Sequence, residues 1–266
     1  AGSLDGSGPW RRRSDEVGRL AKSFSNLLWR LGEAFARERQ FISDASHELK
    51  TPLTSINANA QMLLRWADRD PVVRTESLET IARESADLAA MVNGMLTLAK
   101  ADRGDDIPKE PISLAQIGAE AVQNSVGRAT EKGLQIRFTH QGTPTVYGDA
   151  HLLRQMIGNL IDNAIKFSER GEIGVSVGHG ARDAWIEVAD TGPGIAEQER
   201  PHIFERFYRA DKARSRDIPG TGLGLAIVRS IARVHGGDAT AERAAGGGAL
   251  FRVVLPLMKL PFTSLS

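Results

Sequence analysis

Residues 41–66 read FISDASHELKTPLTSINANAQMLLRW, and within them Ile42, Leu49, Ile56 and Leu63 recur every seventh position, with Ala45, Leu53 and Ala60 between them. An apolar repeat of about 3.5 residues marks a helix that presents one narrow seam to a partner. The seam sits in a helical stretch from about Ser14 to Trp66. Asp68 to Pro71 interrupts it, and a second helix from about Val73 to Asp102 carries Leu78, Ile81, Leu88, Val92, Met95 and Ala99. Two long helices joined by a short turn make a helical hairpin. One seam per helix cannot be buried by the hairpin alone, whereas two copies bury every seam in a four-helix bundle, so a homodimer is expected. The alternative is that the hairpin packs on the rest of its own chain.

Moving outward, the sequence before the hairpin is rich in Gly and Ser and ends in Trp10-Arg11-Arg12-Arg13, so residues 1–13 read as a leader outside the fold. Past Arg103, Gly104-Asp105-Asp106 with Pro108 and Pro111 read as a linker, residues 104–111. Beyond it the pattern turns to mixed α/β. Helices are expected near Leu114 to Lys132, from an N-cap at Asp149 to about Ser168, and from Leu223 to about His235. Strands are expected at Leu134 to Thr139, Glu172 to Val177, Ala184 to Ala189, Ala239 to Arg243 and Leu250 to Leu255. The predicted fold class is α plus α/β, a dimerising hairpin followed by a two-layer α+β sandwich over residues 112–257, with a tail over 258–266. The stretch from Glu197 to Pro219 follows neither period and is dense in charge, so it is expected to be a lid.

Composition excludes several functions. The chain has 266 residues, 41% hydrophobic and 25% charged, enough for one or two packed cores. Thirty-four basic against thirty-three acidic residues leave a net charge of +1, so no summed field draws nucleic acid or an anionic membrane. The absence of cysteine removes disulfides, thiolate metal sites and thiol nucleophiles. No apolar run is long enough to span a bilayer.

Chemistry enters at His47. With Ile42 and Leu49 at the a positions of the heptad, His47 falls at f, the position furthest from the seam, and faces water. An ordinary surface histidine would look the same, but its neighbours are unusual. Glu48 is adjacent, Thr51 lies one turn on along the outward face, and Pro52 interrupts a helical pattern where it removes a backbone hydrogen bond. An imidazole with an ordinary pKa near 6.5 is mostly neutral near pH 7, so a ring nitrogen can attack phosphorus while a carboxylate takes or orients the other ring proton.

A second cluster follows Asp149. Gln155, Asn159, Asn163 and Lys166 share one polar stripe of the helix whose other face carries Leu152, Leu153, Met156, Ile157, Leu160, Ile161, Ala164 and Ile165. An Asn oxygen suits Mg²⁺ and Lys166 suits a phosphate, although such a stripe is also what a solvated face presents. Asp190 ends an apolar strand and opens the turn Thr191-Gly192-Pro193-Gly194-Ile195; an aspartate there can accept from an adenine amino group, or simply close a strand. Gly220-Thr221-Gly222-Leu223-Gly224-Leu225 opens a helix whose free N–H groups can face a phosphate. No Gly-Lys dipeptide occurs, which excludes a Walker A loop, and the glycine spacing does not complete a dinucleotide fingerprint.

Phe41 to Leu53 resembles the H-box of the sensor histidine kinases. Asn159 to Phe167 is similar to the N-box of the ATPase domain that these kinases share with Hsp90, DNA gyrase and MutL. Asp190 to Gly194 resembles the G1 box, Phe204 to Arg209 the F-box, and Gly220 to Gly224 the G2 box, all in family order. The resemblance implies that His47 is the phospho-acceptor with Glu48 as acid/base partner, and that Thr51 serves dephosphorylation of the partner regulator. It implies that Asn159 holds Mg²⁺, that Asn163 and Lys166 meet the phosphates of ATP, and that Asp190 meets adenine. Tyr208 and Arg209 would sit by the nucleotide at the edge of the lid. Phe167, Gly192, Gly194, Ile195, Thr221, Gly222, Leu223, Gly224 and Leu225 would complete the ATP pocket. Ala249 stands where the family often has threonine.

Asp15-Glu16-Val17-Gly18-Arg19-Leu20 with Phe24 resembles the end of a HAMP signal-relay segment, residues 14–29, before a phosphotransfer domain over 30–103. That implies a membrane-anchored parent protein, inner-membrane in location, with this portion in the cytoplasm. The expected reaction is autophosphorylation of His47 and transfer to an aspartate in the receiver domain of a response regulator. Two rivals are an ATP-sensing scaffold without catalysis, which leaves the H-box unexplained, and an ATPase hydrolysing to water, which has no use for an exposed His47.

Overall fold

A computed structural model describes residues 9–66, 70–103, 108–209 and 220–258. Two helices, α1 (Pro9–Trp66) and α2 (Pro71–Arg103), form the hairpin. Residues 9–13, expected in the leader, belong to α1: a proline at the first helical position has no N–H to leave unpaired and a preset φ. Residues 1–8 lie outside the described residues. The helix runs through Pro52, whose side chain is buried. At the start of α2, Pro71 repeats the device of Pro9, and the Asp70 carboxylate accepts from the N–H groups of Val72 and Val73 at 2.9 and 3.3 Å.

The seams stay open in the single chain. Ile42 is 58% exposed, and Leu53, Leu78 and Val92 are likewise exposed. A second stripe on α2, Met91 and Leu98, is buried. Between them Gly94 presses on helix α5 (Gly224–Val234), where a Cβ at position 94 would come within 2.9 Å of Ile227 Cδ1. α2 therefore has two apolar faces, one unpartnered and one packed on its own chain.

The sandwich follows. Its sheet has the order β2 (Leu134–His140), β4 (Gly171–His179), β5 (Asp183–Ala189), β7 (Ala249–Pro256), β6 (Asp238–Arg243). β2 and β4 are parallel and the other pairs antiparallel. Alternate residues point to one face, so Ile173, Val175 and Val177 of β4 line up with Ala184, Ile186 and Val188 of β5 and Phe251, Val253 and Leu255 of β7, all buried. Helices α3 (Leu114–Glu131), α4 (Ala150–Phe167) and α5 cover that face. Ser113 and Asp149 cap α3 and α4 by accepting from Gln116 N and Leu152 N. The expected linker holds a strand at its end: β1 (Glu110–Ser113) pairs antiparallel with β3 (Thr145–Gly148), which was also not expected. Pro111 can join because this two-stranded sheet has only edges. Among the described residues no helix is long and apolar enough to cross a membrane.

His235, at the C-terminal end of α5, ties the sandwich together. It is buried, with Nδ1 2.8 Å from the Ile231 carbonyl and Nε2 accepting from Asp149 N–H at 3.0 Å. These partners require the neutral ring with its proton on Nδ1. Burial pushes its pKa down and the nearby Lys109 adds to this, while the Ile231 carbonyl and Asp149 oppose. The folded state thus refuses a proton that the unfolded chain takes up below about pH 6.5, so stability is complete above that pH and falls on acidification through the lower folded pKa. Melting temperature should drop between about pH 7.5 and 5.5 more steeply in the parent than in His235→Gln, which keeps an acceptor for Asp149 N–H without the titration. Parallel slopes in thermal melts would remove His235 as the cause.

Candidate functional site

On α1, His47 and Thr51 are exposed and Glu48 is half-buried. Pro52 has no N–H for the Glu48 carbonyl one turn back. The Thr51 hydroxyl turns back toward the His47 carbonyl at 3.4 Å, and Thr54 does the same to Lys50 at 2.8 Å. His47, Lys50, Thr51, Thr54, Ser55 and Ala58 line an open groove of about 590 Å³. Among the described residues, every lining residue belongs to α1.

The second cluster assembles around α4. Leu153, Met156, Ile157, Leu160, Ile161 and Ala164 are fully buried, which turns Asn159, Asn163 and Lys166 to the opposite, half-buried side. Asn159 Nδ2 donates to the Gly224 carbonyl at 3.5 Å, holding the start of α5 against the stripe and leaving its Oδ1 without a bond in the described residues. Lys166 Nζ occupies the space that a side chain at Gly220 would need, and lies 5.0 Å from the centre of the Phe167 ring. Desolvation, with Arg209 nearby, pushes the Lys166 ammonium down to about 8. The first turn of α5 has no side-chain cap: Leu223 stands at its N-cap, and the Thr221 hydroxyl accepts from Leu223 N at 3.3 Å.

Asp190 lies beyond the end of α4. It is 5% exposed, and its Oδ1 accepts from both Gly192 N and Ala249 N at 2.9 Å. Burial raises its pKa, and those two backbone bonds oppose the rise. Gly192 is required by contact, because a Cβ there would stand 2.7 Å from the Phe167 carbonyl. Gly194 and Ile195 complete the turn, with Ile195 against the core. On the other flank Gly222, at φ +70°, admits the backbone of Phe207, which itself sits at φ 58°. Tyr208 is half-buried beside His202, ring centres 5.7 Å apart. Burial and the carboxylates of Glu199 and Glu205 push its phenol up, so it stays a donor. Residues 197–209 of the expected lid are turns; residues 210–219 lie outside the described residues.

Contacts therefore tie the Asn159–Lys166 stripe, the Asp190 turn, Phe207 and the Gly220–Leu225 loop to one another, and among the described residues His47 makes none of them. Sequence reasoning missed two contributors. The turn Gly246-Gly247-Gly248 backs onto Asp190 and presents Ala249 N–H to it, a role that the glycine run could have suggested. Lys132, at the C-cap of α3, reaches across to donate to the carbonyls of Ile165 and Lys166 at 2.7 and 2.8 Å, capping the end of α4. The Ser168 hydroxyl at that end is buried without a hydrogen-bond partner.

The model of the His Kinase A (phospho-acceptor) domain matches residues 37–104, and that of the histidine kinase-, DNA gyrase B- and HSP90-like ATPases matches residues 148–259. The sensor histidine kinase YkoH of Bacillus subtilis (strain 168) is 37% identical over 235 residues, which is 88% of this chain and 51% of that protein. The histidine-protein kinase/phosphatase MprB of Mycobacterium avium (strain 104) is 36% identical over 260 residues, 93% of this chain and 48% of that protein. The chain belongs to the sensor histidine kinases. It spans about half the length of these relatives. Among solved structures, ShkA in complex with AMPPNP is similar at a TM-score of 0.63 and 28% identity, covering 81% of this chain and 45% of that one.

In the kinase the phospho-acceptor match falls on the hairpin and His47, and the ATPase match starts at Gly148, one residue before the cap of α4. The backbone N–H of Ala249 reaches Asp190, a contact that needs no side chain at position 249. A lysine that titrates near 8 takes up a proton when it meets an anion. If Lys166 meets the phosphates of ATP, affinity should fall as pH rises above about 8, by at most about tenfold per pH unit. Lys166→Arg, charged throughout, should stay level. Calorimetric titration in buffers of different ionisation enthalpy would register the proton uptake, and its absence at pH 8.5 would remove Lys166 from the phosphate site.

Proposed function

We propose that the kinase binds ATP with Mg²⁺ in the α4–α5 pocket and transfers the γ-phosphoryl group to His47, then to an aspartate of a response regulator's receiver domain. The observation that carries this reading is an exposed histidine with a carboxylate beside it, in the same chain as a pocket whose polar groups suit a nucleoside triphosphate. Asp190, its Oδ1 occupied by two backbone N–H groups, offers Oδ2 to an adenine amino group. The uncapped turn of α5 and Lys166 suit the phosphates. Tyr208 and Arg209 close the side toward the lid. Asn159 fits Mg²⁺, which asks for few protein ligands and takes the rest from phosphates and water, and when bound it neutralises phosphate charge.

In the transfer step a lone pair of the neutral His47 ring forms the N–P bond as the bond between the γ-phosphorus and the bridging oxygen breaks, releasing ADP. Glu48 takes the proton from the other ring nitrogen. Most of the acceleration must come from positioning and charge, as in other phosphoryl transfers. The open seams at Ile42, Leu53, Leu78 and Val92 support a homodimer in which two hairpins make a four-helix bundle. We place this portion in the cytoplasm, where ATP is, with the parent protein anchored in the inner membrane.

With γ-labelled ATP, His47→Ala should take no acid-labile label yet keep its nucleotide affinity within about twofold, since nucleophile and pocket lie in different domains. Asn159→Ala should lose Mg²⁺-dependent labelling by about 100-fold while keeping its melting transition, because the side chain is off the core. Label on His47→Ala equal to the parent's would overturn the assignment of the acceptor.

The reverse activity rests on Thr51. Its hydroxyl, held only by a 3.4 Å contact to the His47 carbonyl, is free to turn into the groove and hold water against a docked phospho-aspartate. Thr51→Ala should keep most autophosphorylation and slow dephosphorylation of the regulator at least about tenfold. Dephosphorylation at the parent rate would show that Thr51 has no such role.

A further inference from the structure

Helix α5 opens at Gly224 beside Asn159, and five residues on, about 7.5 Å along its axis at 1.5 Å per residue, it carries Arg229. Ala226, Ile227, Val228, Ile231 and Ala232 are buried, and the Arg229 side chain stands among them at 32% exposure. The Asp238 carboxylate, where β6 begins, takes the edge of its guanidinium in a fork: Nε donates to Oδ1 at 2.8 Å and Nη2 to Oδ2 at 3.1 Å. Those bonds hold the Asp238 carboxyl well below the usual carboxylate range, so the fork is charged at any neutral pH. A guanidinium held by its N–H edge still has its flat face free. That face meets Phe204, with the Arg229 Cζ 5.3 Å from the ring centre. A cation at that distance is attracted by the ring. The fork alone would be a surface ion pair of little consequence; with the ring beneath it, the pair has something to hold.

What it holds leads to the pocket. Phe204 is half-buried against the core, and Ile203 beside it is buried. The chain then runs in tight turns. Glu205 N–H donates to the His202 carbonyl at 2.8 Å, Tyr208 N–H donates to the Glu205 carbonyl at 3.3 Å, and the His202 and Tyr208 rings lie 5.7 Å apart. Just before Tyr208, Phe207 sits at φ 58° with its backbone against Gly222. A bulky residue keeps that conformation only where its surroundings over-determine it. Four residues therefore separate the clamped ring of Phe204 from Tyr208, with no loose stretch between them to take up slack.

Resting on the kinase reading above, we infer that Arg229, held by Asp238, is a positioning residue for nucleotide binding: it clamps Phe204 onto α5 and thereby fixes the turn that sets Tyr208 at the edge of the pocket. Arg229 itself touches no ligand. Without its cation, Phe204 lifts from α5 more readily, the 204–208 turn loosens, and Tyr208 spends less time beside the nucleotide. Helix α5 thus serves the nucleotide twice, directly at its first turn and through the turn that Arg229 clamps.

The test titrates the whole chain with a non-hydrolysable ATP analogue and Mg²⁺, and follows hydrogen exchange at the Tyr208 N–H. Arg229→Met keeps the length of the side chain without its charge. It should weaken the analogue about three- to tenfold, the loss expected of one cation over a ring, and speed exchange at Tyr208. Asp238→Asn leaves the cation but loosens the fork, and should do the same to a smaller extent. In a Phe204→Leu background, Arg229→Met should change the affinity less than about twofold, because the cation then has no ring to hold. A merely structural ion pair between α5 and β6 behaves otherwise. Arg229→Met would then lower the melting temperature and leave affinity and Tyr208 exchange as in the parent, which overturns the positioning role. So does a full Arg229→Met effect in the Phe204→Leu background. Should Arg229→Met fail to fold, Asp238→Asn decides by the same two readouts. A parent chain that does not bind the analogue would instead overturn the kinase reading.

Discussion

The nucleotide pocket depends on the burial of one face of α4. Six of its side chains, Leu153, Met156, Ile157, Leu160, Ile161 and Ala164, have no exposed surface. At roughly 1.5–3 kcal/mol for each large one, the burial fixes the rotation of the helix far more firmly than any polar contact could. Once that face is set, the 3.6-residue period leaves Asn159, Asn163 and Lys166 no other direction to point. The loops then come to the helix rather than the reverse. Gly192 closes on the carbonyl of Phe167 at its end, Gly220 on Lys166, and Gly224 on Asn159. A rotation of α4 by one residue would undo all three approaches together.

The same packing makes the pocket electrically unusual. Asp190 and Lys166 are both desolvated, and each has its pKa moved toward neutrality, the carboxyl up and the ammonium down. They are not paired with each other. Asp190 is supported by two backbone N–H groups and Lys166 by an aromatic ring and a glycine surface, supports too weak to offset the loss of water fully. On the proposed reading an amino group would supply what is missing for the one and phosphate oxygens for the other. Binding strength at these positions is therefore drawn from groups that the fold alone leaves under-satisfied.

The legibility of these features in the sequence follows from how local their causes are. The hairpin helices, the cap at Asp149 and the polar stripe of α4 rest on spacings within twenty residues, and periodicity is enough to see them. The strands β1 and β3 were hidden because Pro111 and the short Thr145–Gly148 stretch carry no alternation, and only their mutual pairing makes them strands. The second apolar face of α2, Met91 and Leu98 around Gly94, was masked by the seven-residue seam beside it, since two stripes on one helix blur each other's period. Ala249 and Lys132 act through a backbone N–H and a long-range cap, which no side-chain motif announces. The same is true of Phe41, whose partners stand far away in the sequence at Arg206 and Phe207.

That last contact belongs to a set. The ATP-binding domain meets the hairpin through the buried Met91 and Leu98 face of α2 with Gly94 against Ile227, a Thr97 hydroxyl 3.4 Å from Gln155, and Phe41 between Arg206 and Phe207. The face of α2 is apolar and buried, whereas the Thr97 and Phe41 contacts are each worth on the order of 1 kcal/mol. On the proposed reading a phosphoryl group passes from a pocket in one domain to a nucleophile on another, so the contacts between them must permit that approach. The weak Thr97 and Phe41 contacts can break without exposing the buried face of α2, so the approach need not undo that packing.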